Sequence, residues 1–192
     1  MNSTGIIKQR LQDSITVKQA LLEDERLLQQ IEMLSEQCLK CLRNESKIIF
    51  AGNGGSFADA QHLSAEFTSR FMFDRAPLAS IALGTNNSAI SAIGNDYGFE
   101  EVFSRELKGI ARAGDIVVAL TTSGNSTNII ELVRQAGTLG LYTSVWTGVS
   151  GGEVAKFCKT LKVPSNVTAR IQECHITIGH IICEIVEADY FG

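Results

Sequence analysis

Five short apolar runs, separated by segments with helical periodicity, constrain the fold of this chain more than any other feature. The runs lie near residues 47–51, 78–83, 115–120, 141–146 and 160–163. Helical patterns lie near residues 56–70, 86–94, 99–111, 127–139 and 168–190. Apolar strands that alternate with helices are typical of a parallel sheet with both faces covered. The sequence therefore predicts an α/β fold.

The first 45 residues differ from the rest because they show helical periodicity without a strand pattern. Residues 4–44 contain no proline and, after Gly5, no glycine. Apolar side chains recur there at three- and four-residue steps, at Leu27, Ile31, Leu34, Cys38 and Leu42. This predicts one long helix or two in sequence, with an apolar stripe that we expect oligomerisation to cover. We expect a single domain over residues 1–192, with a helical arm over 1–45 and an α/β core over 46–192.

Charge and composition exclude several classes of function. The chain has 192 residues and a net charge of −4, with acidic and basic residues interspersed. Without a Lys/Arg cluster, nucleic acid is not an expected ligand. The amino terminus lacks the features of a signal peptide, and the sequence has no uninterrupted apolar stretch of membrane-spanning length. We expect a cytoplasmic protein that contacts neither nucleic acid nor membrane.

A glycine-rich loop, Gly52–Asn53–Gly54–Gly55–Ser56, follows the first apolar run. Glycines let a backbone approach an anion closely, and Ser56 can cap the helix that follows. A glycine turn between a strand and a helix is also ordinary in α/β proteins. The loop alone therefore leaves open whether it binds phosphate.

A second loop with the same placement favours the phosphate interpretation. It follows the apolar run that ends at Leu120, and it offers four hydroxyl side chains, those of Thr121, Thr122, Ser123 and Ser126. Hydroxyls and the amide groups of a helix amino terminus both donate to a dianion, although Ser/Thr-rich loops are often simply capped turns. Because the carboxyl ends of parallel strands meet in one crevice, the two loops together predict a site for a small phosphorylated molecule.

His62 and Glu66 stand four residues apart in a predicted helix, so their side chains share one face. This spacing suits two ligands of one metal ion. A His/Glu pair on a helix is more often a solvated surface pair, so the spacing alone does not establish a metal site.

Several motifs together resemble the phosphoheptose isomerases (sedoheptulose 7-phosphate isomerases) of the sugar isomerase (SIS) family. The motifs are Gly52–Ser56 with Asp59–His62 and Ala65–Glu66, the Gly94–Asp96 turn, Thr122–Ser126, and Arg170–Glu173 with His180. The resemblance covers nearly the whole chain. It implies a flavodoxin-like sandwich with a five-stranded parallel sheet, a homotetramer with active sites at subunit interfaces, and the first step of ADP- or GDP-heptose synthesis for lipopolysaccharide or capsule.

The resemblance also assigns roles to particular residues. Glu66 and His180 match the family's acid–base pair for moving a proton between C1 and C2 through an enediol, without showing which residue is the base. One divalent ion per subunit, most often zinc, would be held by His62, Glu66, Gln172 and His180. The substrate-binding residues would be Asn53, Gly54, Gly55, Ser56, Glu66, Asn95, Asp96, Thr121, Thr122, Ser123, Ser126 and Gln172.

Two points in this assignment stay open. Gln172 and His180 are eight residues apart, roughly 12 Å along a helix, so both reach one ion only if it lies between them, and Gln172 could instead bind sugar hydroxyls. Related SIS proteins without catalysis bind the replication initiator DnaA, and others sense sugar phosphates. The presence of Glu66 and His180, together with Gly54–Gly55, favours the enzyme.

Overall fold

The structure is a computed structural model that describes residues 2–192. In this range the sheet has five strands, all parallel, in the order β2-β1-β3-β4-β5. The strands are β1 (Ile48–Gly52), β2 (Ser80–Ala82), β3 (Ile116–Leu120), β4 (Tyr142–Thr147) and β5 (Thr160–Lys162). The helices are α1 (Ser3–Leu22), α2 (Glu25–Arg43), α3 (Gly55–Thr68), α4 (Asn87–Tyr97), α5 (Val102–Ile110), α6 (Thr127–Thr138) and α7 (Thr168–Phe191). The predicted five-stranded parallel sheet and the flavodoxin-like strand order are confirmed.

The central strand β3 shows why the sheet is covered on both faces. All five of its residues are buried. Ile116, Val118 and Leu120 belong to one apolar cluster, which includes side chains of α2, α3 and α7. Val117 and Ala119 belong to a second cluster, which includes side chains of α5 and α6. Alternate residues of a strand point to opposite faces, so a continuous apolar run produces two cores.

The amino-terminal region forms two helices, because the chain turns at Asp24. The Asp24 side chain caps α2 by accepting a hydrogen bond from the Leu27 N–H. The apolar stripe of α2 is buried within the chain, so the expectation that this stripe requires a partner subunit is wrong. Exposed apolar side chains lie instead on α1, at Ile6, Ile7, Leu11, Ile15 and Leu22.

Two element boundaries differ from the sequence prediction. The predicted turn at Gly94–Asp96 lies inside α4, which continues to Tyr97. Helix α3 ends at Thr68, two residues before the predicted end at residue 70. Between residues 2 and 192 no helix has both the length and the apolar character needed to cross a bilayer.

Candidate active site

The first loop connects β1 to α3 and depends on two glycines. Gly54 has φ +56°, in the left-handed region that favours glycine. A Cβ on Gly52 would lie 2.3 Å from the Ser56 carbonyl oxygen, so the backbone can turn tightly only without a side chain there. Ser56 is buried in the first turn of α3, and the helix has no side-chain cap, so the predicted capping role of Ser56 is wrong.

The hydroxyl groups of the second loop differ in their exposure to a neighbouring cavity. Thr121 is buried beneath the loop, where its Oγ1 accepts a hydrogen bond of 3.3 Å from the Gly124 N–H. Thr122 and Ser123 instead line a cavity of about 180 Å³. Ser126 is the residue that precedes α6. The geometry therefore favours Thr122 and Ser123 over Thr121 as direct contacts for a ligand.

The same cavity contains polar residues that the sequence analysis did not select. They come from the loop after β4, from the segment before α7 and from the first residue of α7, namely Ser150, Ser165, Asn166 and Thr168. The sequence signal was available, since Ser165, Asn166 and Thr168 form a hydroxyl- and amide-rich cluster after the fifth apolar run. A cavity lined by hydroxyl and amide groups suits a phosphate.

His62, Glu66 and His180 meet where α3 packs against α7. The ligand atoms of the three side chains lie within 4.8 Å of one another. His62 Nε2 is 2.9 Å from Glu66 Oε1 and 3.4 Å from His180 Nε2. His62 is exposed, whereas Glu66 and His180 are half-buried. Because α3 fixes the i, i+4 pair and α7 brings His180 to it, the fold assembles residues that are far apart in the sequence.

The geometry of these three residues suits a metal ion, and zinc bond lengths illustrate the fit. Zinc bonds of 2.0–2.1 Å in a tetrahedral site place ligand atoms about 3.3 Å apart, close to the separations described above. Two imidazoles and one carboxylate are a donor set that catalytic zinc sites use, with a position left for substrate or water. The triad is therefore a possible metal-binding site.

Asp59 adds a further carboxylate beside this cluster. Its Oδ2 is buried without a hydrogen-bond partner among residues 2–192. Burial raises the pKa of Asp59, while the charges of the nearby His62 and His180 act in the opposite direction. An unpaired carboxylate oxygen next to two imidazoles is stabilised when the cluster holds a positive charge.

Gln172 lies against the first loop. A Cβ on Gly55 would be 2.6 Å from Gln172 Nε2, so the amide of Gln172 occupies the space that the glycine leaves open. The half-buried Gln172 lies near the start of α7, eight residues or about two turns before His180. This position places Gln172 at the predicted substrate loop.

Asn95 and Asp96 are not brought to the cluster within this chain. They lie exposed near the end of α4, where Asn95 Nδ2 donates a hydrogen bond of 2.8 Å to Asp96 Oδ1. They line a surface depression together with Asn87, Ser88, Ser91 and Ala92. Within residues 2–192 this depression includes no residue of the two loops or of the His62–Glu66–His180 cluster.

The fold and the site together define the class of protein. The profile of the SIS domain family matches residues 13–148, and the chain belongs to this family.

Individual relatives extend the match over the whole length. Phosphoheptose isomerase from Sulfurimonas denitrificans is 49% identical over 187 residues, which cover 97% of this chain and 96% of that protein. Phosphoheptose isomerase from Aneurinibacillus thermoaerophilus is 50% identical over 186 residues, 96% of this chain and 94% of that protein. The structure of phosphoheptose isomerase from Neisseria gonorrhoeae has a TM-score of 0.90 at 41% identity and covers 96% of this chain and 98% of that chain.

Proposed function

We propose that this protein is a phosphoheptose isomerase that interconverts sedoheptulose 7-phosphate and D-glycero-D-manno-heptose 7-phosphate. The observation that carries the proposal is the meeting of Glu66 and His180 in one cluster, in a chain whose second loop also lines a hydroxyl-rich cavity. An aldose–ketose isomerase needs both parts, one to hold the phosphate and one to move protons. The full-length similarity to phosphoheptose isomerases selects the seven-carbon substrate.

The phosphate would bind at the second loop. Thr122 and Ser123 donate from the loop, and Ser165 and Thr168 donate from the opposite wall of the cavity. The amino terminus of α6 adds a favourable dipole for a dianion. Anchoring the phosphate fixes the position of the carbonyl end, which raises the effective concentration of the reacting groups.

Glu66 and His180 would move the protons. In the ketose-to-aldose direction, one of them removes a proton from C1 while O2 gains a proton, which gives the enediol. The proton on O1 then leaves as C2 is protonated, which gives the aldose. Glu66 Oε1 faces His62, so Oε2 remains for the substrate.

We propose that His62, Glu66 and His180 hold a zinc ion, with Gln172 as a fourth ligand or as a contact for sugar hydroxyls. The donor set and the separations in the cluster support the assignment of His62, Glu66 and His180. Gln172 lies against Gly55 of the first loop, about two turns of α7 before His180, which favours its role as a contact for sugar hydroxyls. When bound, zinc would polarise the substrate carbonyl and stabilise the negative charge that develops on the substrate oxygens.

We propose further that the single SIS domain assembles as a homotetramer with active sites at subunit interfaces. The exposed apolar face of α1, including Ile7, Leu11 and Ile15, supports self-association. The separate location of Asn95 and Asp96 supports a shared site, since these residues could complete the site of a neighbouring subunit. Leu11→Glu should reduce the assembly in sedimentation experiments, whereas Gln12→Glu, at an exposed polar position of the same helix, should not.

The activity is tested by incubating the purified protein with sedoheptulose 7-phosphate in D₂O and following the products by NMR. Aldose with solvent deuterium at C2 is expected, because the residue that removes the C1 proton can exchange it with solvent before C2 is protonated. Glu66→Gln and His180→Gln should reduce turnover by at least a hundredfold, whereas Glu184→Gln, an exposed position on α7, should not. Absence of aldose with zinc present would refute the heptose assignment.

A further inference from the structure

A buried ion pair, Arg75–Glu187, lies between the end of α3 and helix α7, next to the residues Glu66 and His180. Arg75 Nε donates to Glu187 Oε1 at 2.7 Å, and the two side chains are only 3% and 1% exposed. Glu187 also accepts hydrogen bonds from the backbone N–H groups of Phe71 and Met72, at 2.9 and 2.6 Å. A single carboxylate on α7 thus holds both the arginine and the backbone of the loop that follows α3.

The guanidinium of Arg75 also binds the end of helix α3. Its Nη2 donates to the Glu66 carbonyl at 2.8 Å, and its Nη1 donates to the Phe67 and Ser69 carbonyls at 2.8 and 3.2 Å. The last carbonyls of a helix have no partner within the helix, so these bonds cap α3 at the turn that carries Glu66. Lysine could not replace this arrangement, because its ammonium lacks the planar fork of donors.

Glu187 lies on the same face of α7 as His180. The two residues are seven positions apart, about two turns, with an angular offset of roughly 20°. The Arg75–Glu187 pair therefore links the helix that carries Glu66 to the helix face that carries His180. The spacing between the two helices sets the distance between the two catalytic side chains.

The same loop supplies a direct contact to the catalytic histidine. Because Glu187 binds the Phe71 N–H, the Phe71 ring is held against His180, with ring centroids 5.5 Å apart and an interplanar angle of 31°. Packing against an aromatic ring restricts the rotation of the imidazole. His180 is thus oriented by Phe71 from one side and approached by His62 from another.

We propose that Arg75, Glu187 and Phe71 are positioning residues that hold Glu66 and His180 in their reactive and metal-binding geometry. The proposal rests on the proposed isomerase function. It assigns no contact with substrate to any of the three residues.

The test compares Arg75→Lys and Phe71→Leu with a matched control. Asp115 is also a buried carboxylate that binds a cation and backbone N–H groups, those of Lys47 and Arg112, but it lies at the amino ends of β1 and β3. Asp115→Asn should therefore destabilise the fold without affecting the site. For each variant, kcat, KM, the melting temperature and the affinity for Zn²⁺ in competition with a chelator are measured.

We expect Arg75→Lys and Phe71→Leu to lower kcat at least about tenfold, with KM for the sugar phosphate changed less than about twofold. Zn²⁺ affinity should fall about 10–100-fold, as it does when groups that orient metal ligands are removed. Asp115→Asn should lower the melting temperature and leave kcat and Zn²⁺ affinity near wild type. If both positioning variants keep wild-type kcat and Zn²⁺ affinity, or lose them only as much as Asp115→Asn, the proposal is wrong. A wild type that binds Zn²⁺ but does not isomerise the heptose would contradict the proposed function alone, since Zn²⁺ affinity still reports the effect of the variants.

Discussion

Asn53 and Asn128 exchange two side-chain hydrogen bonds, and this reciprocal pair joins the loop after β1 to the start of α6, just after the loop that follows β3. Asn53 Nδ2 donates to Asn128 Oδ1 at 2.8 Å, and Asn128 Nδ2 donates to Asn53 Oδ1 at 2.9 Å. Asn128 is buried in the first turn of α6, just after the second loop. Because this pairing occupies the Asn53 carbonyl and one amide hydrogen, Asn53 has one amide hydrogen and its backbone left for a substrate.

Asn128→Ala should therefore weaken substrate binding without removing a substrate contact. The unpaired Asn53 amide would be free to rotate, and we expect kcat/KM to fall about tenfold, mainly through KM. The free energy of unfolding should fall by about 1–3 kcal/mol, the usual cost of unpairing a partly buried polar group. Asp24→Ala is the matched control, because loss of the α2 cap costs about 1 kcal/mol far from the loops. Equal kinetic losses in the two variants would contradict the role of Asn128.

Gly55→Ala tests the contact between the first loop and Gln172. The new methyl group would lie 2.6 Å from Gln172 Nε2, so the glutamine side chain must move away. We expect kcat/KM to fall by at least tenfold with little change in melting temperature, because the displaced group is the end of a flexible side chain. Gly109→Ala in α5 is the control, since a Cβ there meets no atom within 4 Å among the described residues. If the Gly55→Ala enzyme has wild-type kinetics, the position of the Gln172 side chain does not matter for activity, and Gln172 is not a substrate contact.

Features that depend on neighbouring residues could be predicted from the sequence, whereas contacts between distant helices and loops could not. The strands were predictable because buried parallel strands are continuous apolar runs, and the pairing of His62 with Glu66 followed from helical spacing. The approach of His180 depends on the packing of α7 against α3, which spacing along the chain does not encode; only the resemblance supplied it. The interlocked pair of Asn53 and Asn128 was missed for the same reason.

The error at the amino terminus has a related physical cause. An apolar stripe shows that a helix face is buried but not what buries it. In α2 the stripe packs within its own chain, whereas the exposed apolar side chains of α1 follow a weaker pattern.

Substitutions at the His62–Glu66–His180 cluster should lower the affinity for Zn²⁺ by different amounts, depending on whether the residue is a ligand or a neighbour of the ligands. His62→Gln replaces an imidazole ligand by a weak one, and we expect Zn²⁺ affinity to fall by at least a hundredfold. Asp59→Asn removes only a nearby charge, so a loss of about 10–100-fold is expected. Gln61→Ala, at an exposed neighbouring position on α3, should bind Zn²⁺ like wild type. Calorimetric titration of chelator-treated protein measures all three, and equal affinity in wild type and His62→Gln would exclude the metal site.

His175 should make the protein less stable in mild acid. It is fully buried against Trp146, and burial lowers the pKa of His175 to about 4. The unfolded chain binds a proton near the ordinary histidine pKa of about 6.5, so between these values the unfolded state holds more protons. The free energy of unfolding therefore falls as the pH drops through this window, by about 2 kcal/mol at pH 5 and about 3 kcal/mol in total.

Urea unfolding at pH 7.5 and pH 5, at one protein concentration, measures this effect. His175→Leu keeps a similar volume and cannot titrate, so its stability should fall by about 2 kcal/mol less than that of wild type between the two pH values. Other titrating groups are common to both proteins and cancel in the difference. The hydrogen bonds that Glu187 accepts outweigh the effect of its burial and lower its pKa, and this group is common to wild type and His175→Leu. An identical pH dependence in wild type and His175→Leu would show that His175 is not the neutral buried imidazole that its surroundings require.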